Sequence, residues 1–597
     1  MPSQEIGMPI PNIPHAVSVT LPTWEATVGY EEGQDWVVSK MNSGYPRFFI
    51  HSSIQKLSKK IEAKYGRDGE RCMIFPSYKV AKRCRKFIKE KTDIDNPVIR
   101  VLQLSTPAPA SEDEKSTVIE STIGVVFFPA SEYPLAKNYW QHSGEGISSR
   151  MGEYVLRELF EKDSSRSTSP TPSSGFRAAN SNLKHELQVQ QIQRRSPSIS
   201  ASIRSPSVTQ NEETEKEFNT FIEQKFGRVL DLKFAKEAKI ALRRRICGKV
   251  DKSHNQIEEM EKARRGKNLS ETDVYLFPSG MATIFYAHQV LLELSKEPKK
   301  SVCFGFPYVD TLNILKKFGP GVHFLGLGDD NSLDELEKEL ESGEIDIMAL
   351  FCECPSNPLL KTPDLKRIRK LADKYDFAVV VDETVGNFLN IHVLPYADMV
   401  CSSLTKVFSG DSNVMAGSLV LNPASSRYHQ LKEYFDKEYE DLFWSEDALW
   451  LERNSRDFAE RSVRIDKTAL ATVDLLQKCP LLAKVYYPTL SDTKKYYDEI
   501  KTPTGGYGGL ISFLFHEPEH AIRFFNAVNL HKGPSLGTNF TLACPYAILA
   551  HYQELDEIAQ WDVDRNLIRI SIGLEDTEEL LAVLQTSLDE AAAKPIA

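Results

Sequence analysis

Residues 398–422 read DMVCSSLTKVFSGDSNVMAGSLVLN. An apolar pair, Met399 and Val400, leads into a Ser-Ser-Leu-Thr-Lys turn; a glycine-punctuated loop and a second apolar run, Leu419 to Leu421, complete the stretch. Lys406 is its one basic residue. An ammonium set between two buried strands is costly to desolvate unless it has a partner or a covalent task. Desolvation also lowers a lysine's pKa, which frees the amine to attack a carbonyl. Ser403 and Thr405 precede it with hydroxyls suited to phosphate oxygens. Taken alone the window also fits a surface lysine on a loop, so the reading rests on what surrounds it.

Outward from this stretch the chain alternates between strand and helix. SVCFGF, GVHFLGLGD, IDIMALFCE and FAVVVDE are near-continuous apolar runs, and VDTLNILKKFG, SLDELEKELES and DLKRIRKLADKY are amphipathic helices between them. Further helices are predicted over Ala235–Ile246, Gln256–Ala263 and the segment after Phe277-Pro278-Ser279. Buried strands separated by helices predict an α/β architecture with a mostly parallel sheet covered on both faces. Such sheets bind ligands beyond the carboxyl ends of their strands, where Tyr308, Glu353, Asp382, Ser403 and Lys406 fall. This large domain is assigned to 215–425. A smaller α+β C-terminal domain, 426–597, opens with one long helical stretch through Phe435–Gln477. Strands at 508–515 and 566–574 and a closing helix over Thr577–Ala593 follow.

Ahead of these lies an α+β N-terminal extension, 1–161. Ile54, Leu57 and Ile61 share one helical face, Ile123–Phe128 reads as a buried strand, and Gly152–Leu159 as a helix. Residues 162–214 are rich in Ser, Pro, Thr, Gln and Arg; they bury too little apolar surface to offset ordering and read as a disordered linker. Its Ser169, Thr171, Ser196 and Ser205 precede prolines, as proline-directed kinases require.

The whole chain has 597 residues, 41% of them hydrophobic and 26% charged, with a formal net charge of −10. Two to four domains are expected at this length. The acidic balance gives no electrostatic case for nucleic acid or an anionic membrane. The N-terminus lacks a signal-peptide pattern, and no run of about 18 apolar residues is present. The nine cysteines are scattered, which suits a reducing, cytoplasmic setting. Cys352 and Cys354 sit in a strand-like run without a second pair at metal spacing, so they read as core thiols and no metal site is expected.

Several residues converge on one cofactor chemistry. A pyridoxal phosphate site needs a lysine, an acid for the pyridinium nitrogen, a ring stacker, a phosphate cup and a cation for the substrate carboxylate. Asp382 ends FAVVVD at the sheet rim, although such an Asp is often only a helix cap. Pro278-Ser279-Gly280-Met281-Ala282 joins strand to helix, where backbone N–H groups hold anions. Tyr308 follows a strand and could lie on the ring or simply pack in the core. Arg569 interrupts an apolar strand; its guanidinium wants a carboxylate, from a substrate or from the chain itself.

Six motifs in order complete the picture: Ser279-Gly280-Met281-Ala282, Glu353-Cys-Pro-Ser-Asn-Pro358, Val381-Asp382-Glu-Thr384, Ser403-Leu-Thr-Lys406, Met415-Ala-Gly-Ser418 and Arg569-Ile-Ser-Ile-Gly-Leu-Glu575. Together, over about 216–597, they resemble the pyridoxal-phosphate enzymes of cysteine and methionine metabolism, the trans-sulfuration enzymes. The segments LPTWEATVGYEEG and SGYPRFFIH of the extension look like those of fungal cystathionine γ-synthases. The resemblance implies the aspartate aminotransferase-like fold (type I of the pyridoxal-phosphate transferases), with Lys406 carrying the cofactor and shuttling protons. It further implies that Asp382 pairs with the pyridinium and Tyr308 stacks on the ring with a catalytic part. Gly280, Met281, Ser403 and Thr405 would hold the phosphate, Asn357 would lie beside the ring, and Arg569 and Ser535 would bind substrate.

Relatives also borrow a Tyr-x-Arg pair from a neighbouring subunit, which implies a homo-oligomer. Counting places the pair on Leu242 and Arg244, so the arginine is kept as a cofactor ligand and the tyrosine is missing. Gly410-Asp411-Ser412-Asn413 and Val309-Asp310 also depart from the family pattern. The order Tyr45-Pro-Arg47, helix, Phe75-Pro-Ser77 echoes that of Leu242–Gly248 and Phe277-Pro-Ser279. The extension then reads as a decayed copy of the domain's entry, with Tyr45 and Arg47 as substitutes for the missing tyrosine. The implied reaction is γ-replacement on an activated homoserine ester by cysteine, giving cystathionine. An O-acetylhomoserine sulfhydrylase or a cystathionine lyase is the alternative within the family. A non-catalytic scaffold is the alternative outside it.

Overall fold

In a computed structural model, the chain is described over residues 5–162, 231–248 and 268–593. The predicted linker with its Ser169, Thr171, Ser196 and Ser205, and the helix expected at Gln256–Ala263, lie outside the described residues. The described residues up to Leu156 and from Asp231 onward form one compact unit; the described part of the other, Arg157–Leu230, holds a π-helical turn, Arg157–Glu161.

Most of the described strands fall in three sheets. Two short strands, β1 (Pro9–Ile10) and β2 (Ser18–Val19), pair near the N-terminus. β3 (Glu70–Phe75), β4 (Arg100–Ser105) and β5 (Thr122–Pro129) make an antiparallel sheet in the order β3-β5-β4. The central sheet comprises β6 (Val274–Phe277), β7 (Ser301–Phe304), β8 (Val322–Leu325), β9 (Ala349–Glu353), β10 (Ala378–Asp382), β11 (Met399–Ser403) and β12 (Gly417–Leu421). Its order is β6-β12-β11-β10-β9-β7-β8, with parallel pairing from β8 to β11 and antiparallel pairing of β12 to β11 and to β6. β13 (Leu482–Tyr486), β14 (Leu510–Phe515), β15 (His531–Lys532), β16 (Leu542–Pro545) and β17 (Ile568–Ser571) form the C-terminal sheet, β13-β14-β17-β16-β15.

The period-two geometry of a strand sends alternate residues to opposite faces, and here both faces are apolar. Leu350, Val379, Val381 and Val400 enter one core cluster, while Phe351, Ala378, Val380 and Met399 enter another. The second cluster also contains Met73, Phe75, Val126, Phe128 and Tyr139 from the N-terminal region, joined through Phe285 of the helix Gly280–Leu294. Tyr139 and Phe285 meet edge to face at 6.2 Å, a favoured aromatic geometry.

The long helical stretch expected over Phe435–Gln477 is divided into three helices: Tyr428–Glu438, Ser445–Asn454 and Phe458–Gln477. No Gly or Pro marks the breaks. Partners remote in sequence satisfy freed carbonyls instead: Lys79 and Tyr286 donate to the Glu438 carbonyl at 2.9 and 3.1 Å, and Arg245 to that of Glu452 at 3.2 Å. Such tertiary capping leaves no local signal.

Candidate active site

The loop 404–416 turns back between β11 and β12, and the Lys406 side chain is buried at its start. Its Nζ donates to Ser535 Oγ at 2.8 Å and to the Tyr45 hydroxyl at 3.1 Å. A pocket of about 220 Å³ opens around it. Tyr308, Glu353, Asn357, Asp382, Ser403, Thr405, Ser535 and Arg569 all reach its wall.

Asp382 stands at the last position of β10, and its Oδ1 accepts from the Thr384 amide at 2.9 Å and hydroxyl at 2.5 Å. The Thr384 hydroxyl in turn accepts from the Ser403 amide at 2.7 Å, tying the Asp382 turn to the Lys406 turn. Burial pushes the Asp382 carboxyl up, and burial together with Asp382 pushes neighbouring Glu353 well above the usual carboxylate range. Glu353 accepts from the backbone amide of Tyr308 and, at 3.2 Å, from that of Asn357. One carboxyl group therefore sets two of the predicted ring neighbours.

The phosphate-like end is built by the start of the helix Gly280–Leu294. Ser279 caps it, accepting from the Ala282 amide at 3.1 Å and donating to the Gly144 carbonyl at 3.0 Å. A Cβ on Gly280 would lie 2.5 Å from Ser403 Cβ, so only glycine lets the helix start approach the Lys406 turn. The Gly280 and Met281 amides, in the first turn, have no helical partner. Thr405 faces the pocket, but its hydroxyl also accepts from the Ala416 amide at 3.0 Å.

At the opposite end Arg569, in β17, donates to Asn357 Oδ1 at 3.0 Å and to the Ser535 carbonyl at 2.7 Å, with its guanidinium 4.9 Å from the Tyr546 ring. It is buried, yet among the described residues it forms no ion pair with a carboxylate. Ser535 holds φ +104, a region costing a non-glycine residue about 1–3 kcal/mol and typical of sites where geometry is imposed.

Arg244 does not join the others. It sits on the helix Ala235–Ile246, 45% exposed, with Nε 3.4 Å from Glu271, and lines no part of this pocket. As a residue expected to serve the cofactor of a neighbouring subunit, it is not required at the pocket of its own chain. Asp310, noted in the sequence only as a departure, is buried between Arg47 at 2.6 Å and His142 at 3.0 Å. His142 carried no sequence signal. Thr384 did: an Asp side chain can accept from the amide two residues on in an Asx turn, and a hydroxyl at that position adds a second donor, as it does here. Cys352 and Cys354 are buried free thiols, and no cluster of His, Cys, Asp and Glu among the described residues is arranged to hold a metal. No described helix is long and apolar enough to cross a membrane.

A profile described as "Cys/Met metabolism PLP-dependent enzyme" matches residues 225–589. This chain belongs to that family. A second profile, "Fungal trans-sulfuration enzyme, N-terminal domain", matches 53–148. A cystathionine gamma-synthase of Saccharomyces cerevisiae is 46% identical over 99% of this chain and 100% of its own length. One of Neurospora crassa is 46% identical over 98% of each. A crystal structure of cystathionine gamma synthase from Xanthomonas oryzae pv. oryzae, in complex with aminoacrylate and cysteine, is 25% identical, covers 55% of this chain and 84% of its own, and superposes with a TM-score of 0.48. The family is pyridoxal-phosphate-dependent, and the α/β fold with a mostly parallel central sheet agrees with the expectation from sequence.

Proposed function

We propose that this chain is a γ-replacement transferase that joins an activated homoserine ester to cysteine, releasing the ester's acid and forming cystathionine. Full-length identity to two fungal cystathionine γ-synthases supports the reading. The observation that carries it is a pair of unanswered charges on either side of Lys406. Among the described residues, half-buried Asp382 meets only hydroxyl and amide donors of Thr384, and buried Arg569 meets only neutral oxygens. A buried charge without a counterion is costly. A pyridinium nitrogen answers the first and a substrate α-carboxylate the second. The amides at Gly280 and Met281, with Ser403 and Thr405, suit a phosphate. The residues present therefore fit pyridoxal phosphate.

When bound, that cofactor supplies an aldehyde for covalent attachment and a ring that accepts the electron pair left by a broken C–H bond. Lys406 Nζ would hold the cofactor, and as a free amine would take the proton from the substrate Cα and manage that of Cβ. Asp382 would keep the ring nitrogen protonated, Tyr308 would cover one wall, and Arg569 with Ser535 and Asn357 would fix the amino-acid end. The leaving group departs from Cγ with its bonding pair, and the cysteine sulfur forms the new bond there, its proton passing to solvent or to the leaving acid. We further place the protein in the cytoplasm as a homo-oligomer, with 1–161, 215–425 and 426–597 as its domains.

The test is product analysis of the pyridoxal-phosphate-loaded protein with O-acetyl-, O-succinyl- and O-phosphohomoserine, each against cysteine and sulfide. Cystathionine as main product is expected, with loss by at least about 10³-fold in Lys406→Ala. Preferential homocysteine formation from sulfide, or no turnover with any ester, would overturn the assignment.

A further inference from the structure

The wall facing Lys406 comes from the N-terminal region. Tyr45 and Arg47 sit in a tight turn: the amides of Phe48 and Phe49 both donate to the Tyr45 carbonyl, at 2.9 and 3.0 Å. A Cβ on Gly44 would lie 2.4 Å from Phe49 Cβ, so the turn closes on a residue without a side chain. Arg47 is buried and anchored to Asp310 at 2.6 Å, at the start of the helix that follows Tyr308. Its guanidinium lies 4.0 Å from the Phe48 ring and 5.2 Å from the Tyr308 ring, and its buried Nε has no hydrogen-bond partner among the described residues. Asp310 is held from its other side by His142, on the helix Tyr133–Ser143, and Lys317 Nζ reaches His142 at 2.6 Å. This is an over-determined anchor, and it aims the Tyr45 hydroxyl at Lys406 Nζ from 3.1 Å, with the ring centroid 5.1 Å from the same nitrogen.

We infer that Tyr45 is a catalytic residue supplied in cis, exchanging a proton with Lys406 of its own chain. The step is a simple transfer: an Nζ–H bond of the ammonium breaks, an O–H bond forms on the Tyr45 phenolate, and the reverse returns the proton, with no change of oxidation state. Burial alone would push the Tyr45 hydroxyl up, but Lys406 and Arg47 hold it below its ordinary value. The charged groups facing it are Lys406, Arg47 and, beyond the latter, Asp310. A lysine must shed a proton before it can attack an aldehyde, and a tyrosine at hydrogen-bond distance is placed to take it.

The inference rests on the reading of Lys406 as the cofactor lysine, and the experiment separates the two. Apo-protein is mixed with pyridoxal phosphate, quenched with borohydride at intervals, and the mass added at Lys406 followed. Wild-type protein that gains no mass there defeats the functional reading itself. Wild-type protein that loads while Tyr45→Phe loads about tenfold more slowly, with an unchanged melting temperature, supports the inference; equal loading rates overturn it. The cis assignment is tested in mixed oligomers of Tyr45→Phe and Lys406→Ala chains. If each Tyr45 serves its own Lys406, mixing restores no activity beyond that of the Tyr45→Phe parent. Recovery of a wild-type site in the mixture would assign Tyr45 to the neighbour instead. If Tyr45→Phe does not fold, Arg47→Met takes its place in the mixture and separates the two arrangements by the same outcomes.

Discussion

Two strand–turn–helix units of this molecule share a local design and differ in what their helix starts face. In the N-terminal unit β3 ends at Phe75, Ser77 caps the helix Tyr78–Lys91 with φ −149 and ψ 163, and its hydroxyl accepts from Val80. In the central unit β6 ends at Phe277, Ser279 caps the helix Gly280–Leu294 with φ −154 and ψ 160, and its hydroxyl accepts from Ala282. Each cap presses its carbonyl on a glycine of a neighbouring strand: a Cβ on Gly124 or on Gly417 would stand 2.3 Å from the Ser77 or Ser279 oxygen. The next residue separates them. Tyr78 fills the N-terminal helix start, where Glu440 accepts from Ser77 at 3.1 Å and Glu438 pairs with Lys79. Gly280 leaves the other start open to the pocket. A helix N-terminus attracts negative charge in both cases; one is answered by the chain's own carboxylates, and the other is free for a ligand.

Giving the central unit the residue of the N-terminal one, Gly280→Tyr, should have the largest effect. The side chain would collide with Ser403, and we expect loss of pyridoxal phosphate uptake by at least about 100-fold, read as absorbance retained after desalting. Next come Gly417→Ala and Gly124→Ala. Each forces a methyl against a backbone carbonyl, and overpacking of this kind costs about 1–3 kcal/mol; thermal melting should fall for both, while cofactor affinity falls only for Gly417→Ala. If Gly124→Ala also weakens cofactor binding, the two units are more tightly coupled than their separate helix starts imply. Smaller again, Ser77→Ala and Ser279→Ala each remove a cap of about 1 kcal/mol, measured by denaturant midpoint. Smallest is the converse swap, Tyr78→Gly. It should leave cofactor stoichiometry at one per chain, because Glu438 and Glu440 still occupy that helix start.

The strands and helices of the central sheet were legible because burial on both faces writes near-continuous apolar runs, as in FAVVVD. Asp382, Lys406 and Arg569 stood out for the same reason: each is a charge where the pattern demands an apolar or neutral neighbour. What the pattern could not show is contact between remote segments. At the breaks in the stretch from Phe435 to Gln477 the freed carbonyls are met by Lys79, Tyr286 and Arg245 reaching across space. The approach of Tyr45 to Lys406 spans 361 positions, and only an echo in residue order hinted at it. Asp310 read as a departure from pattern, whereas in the fold it is the anchor for Arg47.

The apolar cluster that runs unbroken from Phe75 and Tyr139 to Phe285 and Phe318 has a practical corollary. A truncated chain starting near position 215 would turn the outer side of the helix Gly280–Leu294 into a greasy, solvent-facing surface, and such patches drive aggregation. Grafting this enzyme's chemistry onto a shorter relative would therefore require transplanting both halves of the seam together.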